Sequence, residues 1–285
     1  MNAVSTIALG TVFASMFALG AGFQMRWFTQ EMPKPGLIAR CLGVALVAVP
    51  AMAIILGPLL ELKPGLLAGF LLIGISPGAP MALRRSQDSG GRVSFSMVLQ
   101  VTVAVFAIFA VPAWVLILDA LYGERAGIDI LDVAKQVFLA QLLPLACGAA
   151  CAIRFPLLAA RVARPLLRAS AVLLLVIVGL VLWQVGPKLP ALGVAAFAAS
   201  ALLAASAIGL GHWAGGPAAD TRTTSAILCA MRNPGIALLV ASTNRLPETA
   251  KLVVIAHVLM TALLLFLYLA LWRWRALVSP PKIEA

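Results

Sequence analysis

The chain has 285 residues, of which 62% are hydrophobic and only 11% are charged, a composition that excludes an ordinary soluble domain of this length. Lysine and arginine outnumber aspartate and glutamate by 21 to 10. The basic residues lie in short connections between apolar stretches, which argues against a nucleic-acid-binding surface. The apolar stretches last about twenty residues, the length of a membrane-crossing helix and about twice that of a membrane-barrel strand. The sequence therefore predicts an all-α membrane protein.

Nine transmembrane helices are predicted along the chain. Their expected bounds are 3–23, 37–60, 65–84, 93–118, 134–153, 166–186, 191–213, 221–243 and 250–272. The first has no charged segment before it and no convincing small-residue cleavage site after it, so we expect a retained span and not a signal peptide.

The basic residues are distributed unequally between the two membrane faces that these spans define. Fourteen fall on one face: Arg26, Lys34, Arg40, Arg84, Arg85, Arg92, Arg154, Arg161, Arg164, Arg168, Arg222, Arg273, Arg275 and Lys282. Six fall on the other: Lys63, Arg125, Lys135, Lys188, Arg245 and Lys251. Because the face richer in Lys and Arg is normally cytoplasmic, we expect the N-terminus outside and the C-terminus in the cytoplasm, in the cell inner membrane. The remaining basic residue, Arg232, lies within a span.

The third and eighth spans are each interrupted by proline and glycine, at 76–80 and 232–235. Interrupted spans at matching places in two halves are typical of secondary transporters, because unwound backbone at membrane depth is tolerated only beside a cavity. The expected orientation makes these two spans antiparallel. The chain is therefore predicted to be a single transporter unit, 1–285, built as an inverted repeat of residues 1–130 with four helices and 131–275 with five.

Four segments, in this order and spacing, resemble landmarks of the bile acid:sodium symporter family. They are Met16–Gly20, Val49–Pro50, Leu72–Gly78 and Met231–Gly235. The resemblance implies two discontinuous helices that cross near the membrane midplane. It also implies a core domain, formed by the second to fourth and seventh to ninth spans, and a panel domain formed by the first, fifth and sixth. Bacterial members typically have ten helices, so this chain is expected to lack the first of them.

The sequence departs from the family pattern where the family binds sodium. Polar positions of the family are occupied here by Ala45, Ala82, Leu83, Gln100, Val103, Ala104, Leu228 and Arg232. Sodium requires oxygen ligands, which aliphatic side chains do not provide. The loss of a carboxylate at Leu228 and the gain of a guanidinium at Arg232 also make the site positive. We therefore expect Arg232 to replace the coupling cation, and sodium not to be a partner.

The expected substrate is a small organic anion held where the two breaks cross. The candidate binding residues are Arg232, Asn233, Pro77, Gly78, Ala79, Gly235, Ser96 and Gln100. Arg232 has two alternative roles, as a donor to carbonyls freed by the break at Pro234 or as a side chain that snorkels to an interface. Asn233 has an alternative role as a helix cap, and Ser96 and Gln100 as contacts that hold helices together.

His257 in the ninth span is a candidate for proton coupling, and its alternative is a neutral histidine bonded to a backbone carbonyl. Cys41, Cys147, Cys151 and Cys229 lie in apolar spans and predict neither a disulfide framework nor a metal site. No cofactor is expected, and the sequence has no motif that would indicate an enzyme.

The predicted function is secondary transport of an organic anion by alternating access, with membrane lipid as the other partner. An exporter of the same anions and a ligand-sensing membrane protein are the alternatives.

Overall fold

The computed structural model describes residues 3–24, 32–122 and 130–278, and within these ranges the regular secondary structure is helical, with no strand. Helices are labelled α1–α9 in chain order, with α3 and α8 each in two parts. Their bounds are α1 Ala3–Ala21, α2 Pro35–Leu59, α3a Pro64–Gly74, α3b Pro80–Asp88, α4 Val93–Tyr122, α5 130–154, α6 Pro156–Val185, α7 Gly193–Ala214, α8a Ala219–Ala230, α8b Pro234–Thr243 and α9 Glu248–Val278. The all-α prediction is confirmed. Arg26, Arg125 and Lys282 of the charge pattern lie outside the described residues, as do both chain termini.

Seven helices of the described ranges are long and apolar enough to cross a membrane. They are Pro35–Leu59, Val93–Tyr122, Lys135–Arg154, Pro156–Gln184, Gly186–Ala214, Ala219–Thr243 and Glu248–Trp272. Two predicted spans are shorter as apolar helices, because α1 is apolar over Leu9–Ala21 and α3a ends after 11 residues, at the break. The chain is thus a multi-pass membrane protein, and the full count of nine spans stays a prediction.

The largest difference from the predicted bounds is at α6, which begins at Pro156 and not at 166. Pro156 lies in the first turn, where the missing N–H of proline costs no hydrogen bond. The helix then continues through Arg161, Arg164 and Arg168 before its apolar part begins. The arginines therefore mark the edge of the expected membrane-embedded part and not the beginning of the helix.

Proline also shapes the middle of α2, where Val44–Ala48 form a π-helical turn just before Pro50. In this turn Val49 N–H bonds Val44 O, so the next carbonyl, that of Ala45, would need an N–H from Pro50, which has none. The ordinary α-helical partner of Leu46 O would also be Pro50. Leu46 O instead accepts a 2.7 Å hydrogen bond from Trp114 Nε1 on α4. Ala45 O is left to accept a donor from another helix.

The helices pack in two groups. In the first, α1 packs closely along α5 and α6. Gly20 of α1 and Gly148 of α5 permit this approach, since a Cβ on either would collide with the backbone of the other helix. In the second group, α7 packs against α8a and α9, α9 against α3a, and α2 against α3a and α7. Helix α1 also contacts α3b and α8b, so it lies along the boundary between the two groups.

Candidate transport site

The two breaks predicted from the sequence meet in the structure. Helix α3a ends at Gly74 and α3b begins at Pro80, whereas α8a ends at Ala230 and α8b begins at Pro234. The backbone N–H of Asn233, in the second break, donates a 2.7 Å hydrogen bond to Ser76 O in the first. On either side of this bond α3a packs against α8b, and α3b packs against α8a. Each half-helix thus contacts the opposite half of the other broken helix.

Arg232 lies directly behind this junction and is only 4% exposed. Its Nη1 donates to Ala45 O at 2.9 Å, its Nε donates to Ile73 O at 3.4 Å, and its Nη2 donates to Gly74 O. No ion pair within the described residues includes Arg232. Arg232 thus donates to backbone carbonyls, but these lie in α2 and at the first break and not at the break at Pro234, where the alternative role had placed them.

The carbonyls around Arg232 are available because of two prolines. Ala45 O lacks an intrahelical partner because Pro50 has no N–H. The α-helical partner of Ile73 O would be Pro77, which has none either, so Ile73 O accepts from Ser76 N–H at 3.2 Å as well as from Arg232. Gly74 O lies in the last turn of α3a, where intrahelical donors run out. Ile73 O and Gly74 O lie at the negative end of a half-helix, and together with Ala45 O they form a cluster of oxygens suited to a cation. The guanidinium occupies that cluster.

Asn233 caps α8b, as its alternative role predicted. Its Oδ1 accepts a 3.3 Å hydrogen bond from Ile236 N–H at the start of the helix. Its Nδ2 is buried and has no hydrogen-bond partner in the part of the chain that the structure describes. The oxygen of the Asn233 amide is therefore held by α8b, whereas its nitrogen is still available as a donor.

The positions where the family would bind sodium are buried and largely aliphatic. Ala45, Ala82, Leu83, Val103, Ala104 and Leu228 are each at most 3% exposed. Gln100 is fully buried beside the first break, where a Cβ on Gly78 would lie 3.5 Å from Gln100 Nε2. Neither polar atom of the Gln100 amide has a partner among the described residues. The Ser96 hydroxyl instead donates to carbonyls of its own helix, Arg92 O and Val93 O.

His257 is buried in α9, and its Nε2 lies 3.2 Å from the Thr261 hydroxyl one turn further along. Histidine and threonine at this spacing lie on one face of the helix, so the contact is local to α9. Neither of the two cavities described below is lined by His257. Its environment favours a structural role over proton transfer.

A cavity of about 680 Å³, here called the vestibule, lies between α1, α3b, α4, α5 and α6. It reaches the arginine-rich end of the helices, because Phe23 and Gln24 after α1 and Pro156 at the beginning of α6 line it. Arg164 is its one charged lining residue within the described ranges, and no acid lines it there. The vestibule is therefore a mostly apolar cavity with a positive group.

A second and much smaller cavity, here called the crossover pocket, lies deeper, where α1 and α6 face the breaks. Its volume is about 20 Å³, room for about one water molecule. It is lined by Thr11, Val12, Ser15, Pro80, Met81, Arg84, Leu167, Ser170, Ala171, Leu174, Asn233 and Gly235. Both α3b and α8b present their N-terminal residues to it, and helix N-termini favour anions.

Of the eight predicted binding residues, Asn233 and Gly235 line the crossover pocket. Arg232, Pro77, Gly78, Ala79, Ser96 and Gln100 are buried behind it and line neither cavity. Three hydroxyls of the crossover pocket were not predicted from the sequence, those of Thr11, Ser15 and Ser170, although hydroxyls four residues apart on apolar α1 were a usable signal. The Ser170 hydroxyl, like Asn233 Nδ2, is buried with no hydrogen-bond partner among the described residues.

A family model described as Sodium Bile acid symporter family matches residues 8–189. The match runs from α1 through α6 into the connection before α7, and so includes the first break and the arginine-bearing part of α6. The second break and Arg232 lie beyond it. No curated protein matches the sequence.

Proposed function

Because the chain belongs to the Sodium Bile acid symporter family, whose members are secondary transporters, we propose that it carries a small organic anion across the cell inner membrane without using sodium. The observation that supports this most directly is the placement of the Arg232 guanidinium within the carbonyl cluster of Ala45, Ile73 and Gly74. A permanent cation bound there leaves no place for a second one. Arg232 therefore acts as a tethered counterpart of a coupling ion.

The substrate anion binds in the crossover pocket. Asn233 Nδ2 and Ser170 Oγ are the buried polar atoms free to bond it, and the N-termini of α3b and α8b add favourable electrostatics. Arg232 contributes its charge from behind the breaks and does not contact the anion. This assignment revises the direct anion contact predicted for Arg232, because Arg232 is buried, lines neither cavity and directs its bonds to three carbonyls.

Transport requires the pocket to enlarge, because its present volume of about 20 Å³ holds no organic molecule. The boundary along which α1 and α6 face α3b and α8b is where this change occurs. Helices α1, α5 and α6 move as the panel domain, and the other six form the core domain. The two repeats, 1–130 and 131–275, supply one broken helix each, so that the pocket is reached alternately from the two membrane faces.

The test is a thermal-shift screen of carboxylates, sulfonates and sulfates on purified protein, repeated with sodium, potassium or choline as the cation at constant ionic strength. A ligand that binds only the folded state raises the melting temperature. We expect at least one class of organic anion to do so, with the same shift in all three salts. A saturable effect of sodium on ligand binding would contradict the proposal.

In the same screen, the variant Asn233→Asp tests whether the anion binds in the crossover pocket. Aspartate retains an oxygen that caps α8b, but it loses the amide donor and adds a negative charge. We expect the melting temperature without ligand to change little and the ligand-induced shift to be lost. Asn233→Ser, a neutral capping residue that keeps a hydroxyl donor, is the matched control and should retain a weaker shift. Unchanged affinity in Asn233→Asp would place the anion site elsewhere.

A further inference from the structure

The vestibule and the crossover pocket share one lining residue within the described chain, Leu167 of α6. The boundary between the cavities can be followed on the neighbouring helix α1. On α1, Ala18 lines the vestibule and Ser15, one turn earlier, lines the pocket. On α3b the two linings alternate around the helix and mark no such level, because Pro80, Met81 and Arg84 line the pocket while Leu83 and Gln87 line the vestibule. Leu167 is thus at the level where one compartment ends and the other begins.

One face of α6 runs continuously through both compartments. The vestibule is lined by Ala160, Ala163 and Arg164, and the pocket by Ser170 and Ala171, all at helical spacing from Leu167. Around Leu167 this face consists of alanines and a serine, apart from Arg164, whose long side chain is exposed. Leu167 is the first bulky apolar side chain that a solute would meet on α6 after Arg164. It is half-buried and packs against the main hydrophobic core.

Basic groups lie on both sides of this boundary. Arg164 lies in the vestibule, and Arg84 lines the pocket while forming an exposed ion pair with Asp88 at 3.7 Å. Such an exposed pair is weak, so the Arg84 guanidinium remains available to another anion. An anion therefore has a cationic group before and after Leu167, whereas a cation has an electrostatic barrier on both sides.

We propose that Leu167 is the gating and size-selecting residue between the vestibule and the anion site. The Leu167 side chain closes the passage in the described conformation and moves aside, together with α6, when the crossover pocket enlarges. The inference rests on the proposed transport of an organic anion. Its test measures the passage itself and needs neither a known substrate nor transport.

The experiment measures how fast an anionic thiol reagent, 2-sulfonatoethyl methanethiosulfonate, reaches a cysteine beyond the gate. The reporter is Ser170→Cys in full-length protein whose accessible native thiols, Cys147 and Cys151, have been replaced by alanine. Cys41 and Cys229 are buried and remain in place. Ala160→Cys in the same background reports access to the vestibule alone, and the melting temperature of each variant shows whether it has kept its fold.

Leu167→Ala should increase the labelling rate of Ser170→Cys about tenfold or more, and Leu167→Trp should reduce it, because the side chain at 167 sets the width of the passage. Labelling of Ala160→Cys should stay within about twofold in both variants, since its site precedes the gate. Leu173→Ala is the matched control: Leu173 lies on the same helix, is 40% exposed and lines neither cavity. It should leave both rates unchanged.

Charge selection is tested with the trimethylammonium analogue of the reagent. In Leu167→Ala the anionic reagent should label Ser170→Cys faster than the cationic one, and Arg164→Gln should reduce that preference. If Leu167→Ala and Leu167→Trp both label at the parental rate while Ala160→Cys remains reactive, Leu167 is not a gate. That result would leave the proposed function intact. A failure of the anion screen with a positive labelling result would instead contradict the proposed substrate class.

Discussion

Arg232 is a buried charge whose neutralising partners are all backbone dipoles. A lone guanidinium in the membrane is costly, and the usual compensation is an acid or water. Here each nitrogen bonds a carbonyl, and two of the three carbonyls are available because Pro50 and Pro77 lack an N–H. The residue and the breaks therefore depend on each other: without Arg232, Ala45 O and Gly74 O would lose their donor, whereas Ile73 O would keep the hydrogen bond from Ser76 N–H.

Arg232→Ala should lower the free energy of unfolding by about 3 kcal/mol or more, since it leaves buried acceptors without donors. Because the emptied cluster is suited to a cation, sodium should raise the melting temperature of Arg232→Ala relative to choline at equal ionic strength. The parent protein should show no such difference. Arg161→Ala, which removes an exposed arginine from α6, is the control and should be insensitive to sodium. An Arg232→Ala protein indifferent to sodium would show that the carbonyls are not a cation site.

The importance of Arg232 could be predicted from the sequence, but its partners could not. An arginine within an apolar run is a candidate functional residue that can be recognised from the local sequence alone. Its carbonyl partners are more than 150 residues away in the chain, and a carbonyl has no signature in the sequence apart from the proline that frees it. The crossover pocket has the same limitation, because Ser170 of α6 and Asn233 become neighbours only through packing across α1.

At the scale of the helices, the breaks turn two spans into four half-helices. Their new ends are what make the site, since α3a contributes carbonyls to Arg232 and α3b presents its N-terminus to the pocket. The sequence predicted both breaks from proline and glycine. It misplaced the beginning of α6, because hydropathy indicates where a helix is apolar and not where it begins.

Gly78 sets the geometry of the first break, with a φ of +80°, in the left-handed region. Gly78→Ala should lower the free energy of unfolding by about 1–2 kcal/mol from backbone strain alone. The added Cβ would also lie 3.3 Å from Val103 Cγ1, closer than ordinary contact. Gly90→Ala is a matched control, with a φ of +82° and no atom within 4 Å of an added Cβ. Equal losses in thermal melts would show that the contact with Val103 does not matter.

At the scale of the whole molecule, the two helix groups meet along α1 and also where α4 packs against α5. The close contact of Gly20 with Gly148 ties α1 to α5, while α1 also faces α3b and α8b. The boundary between the groups therefore includes the crossover pocket. The panel and core domains expected from the family resemblance stay a prediction, which neither composition nor helix count could have supplied.

The expected orientation in the membrane is a prediction from the unequal distribution of arginine and lysine between the two faces. Alkaline phosphatase fused after residue 285 should be inactive and a fluorescent protein at that position should fluoresce, because the C-terminus is expected in the cytoplasm. An epitope tag before residue 1 should be accessible from outside. Alkaline phosphatase activity at the C-terminus would reverse the orientation, and both ends on one side would show that the number of spans is even.

A cation fixed to the chain has a thermodynamic consequence for the direction of flow. A dissociable sodium ion brings the energy of its gradient to each transport cycle, but the Arg232 guanidinium never leaves and brings none. Without another coupled ion, a monovalent anion equilibrates with the membrane potential, which at 100 mV, negative inside, is worth about 2.3 kcal/mol, or about fifty-fold in concentration. Net entry would then require an external concentration about fifty times the internal one, and a cell that produces the anion would lose it through this carrier.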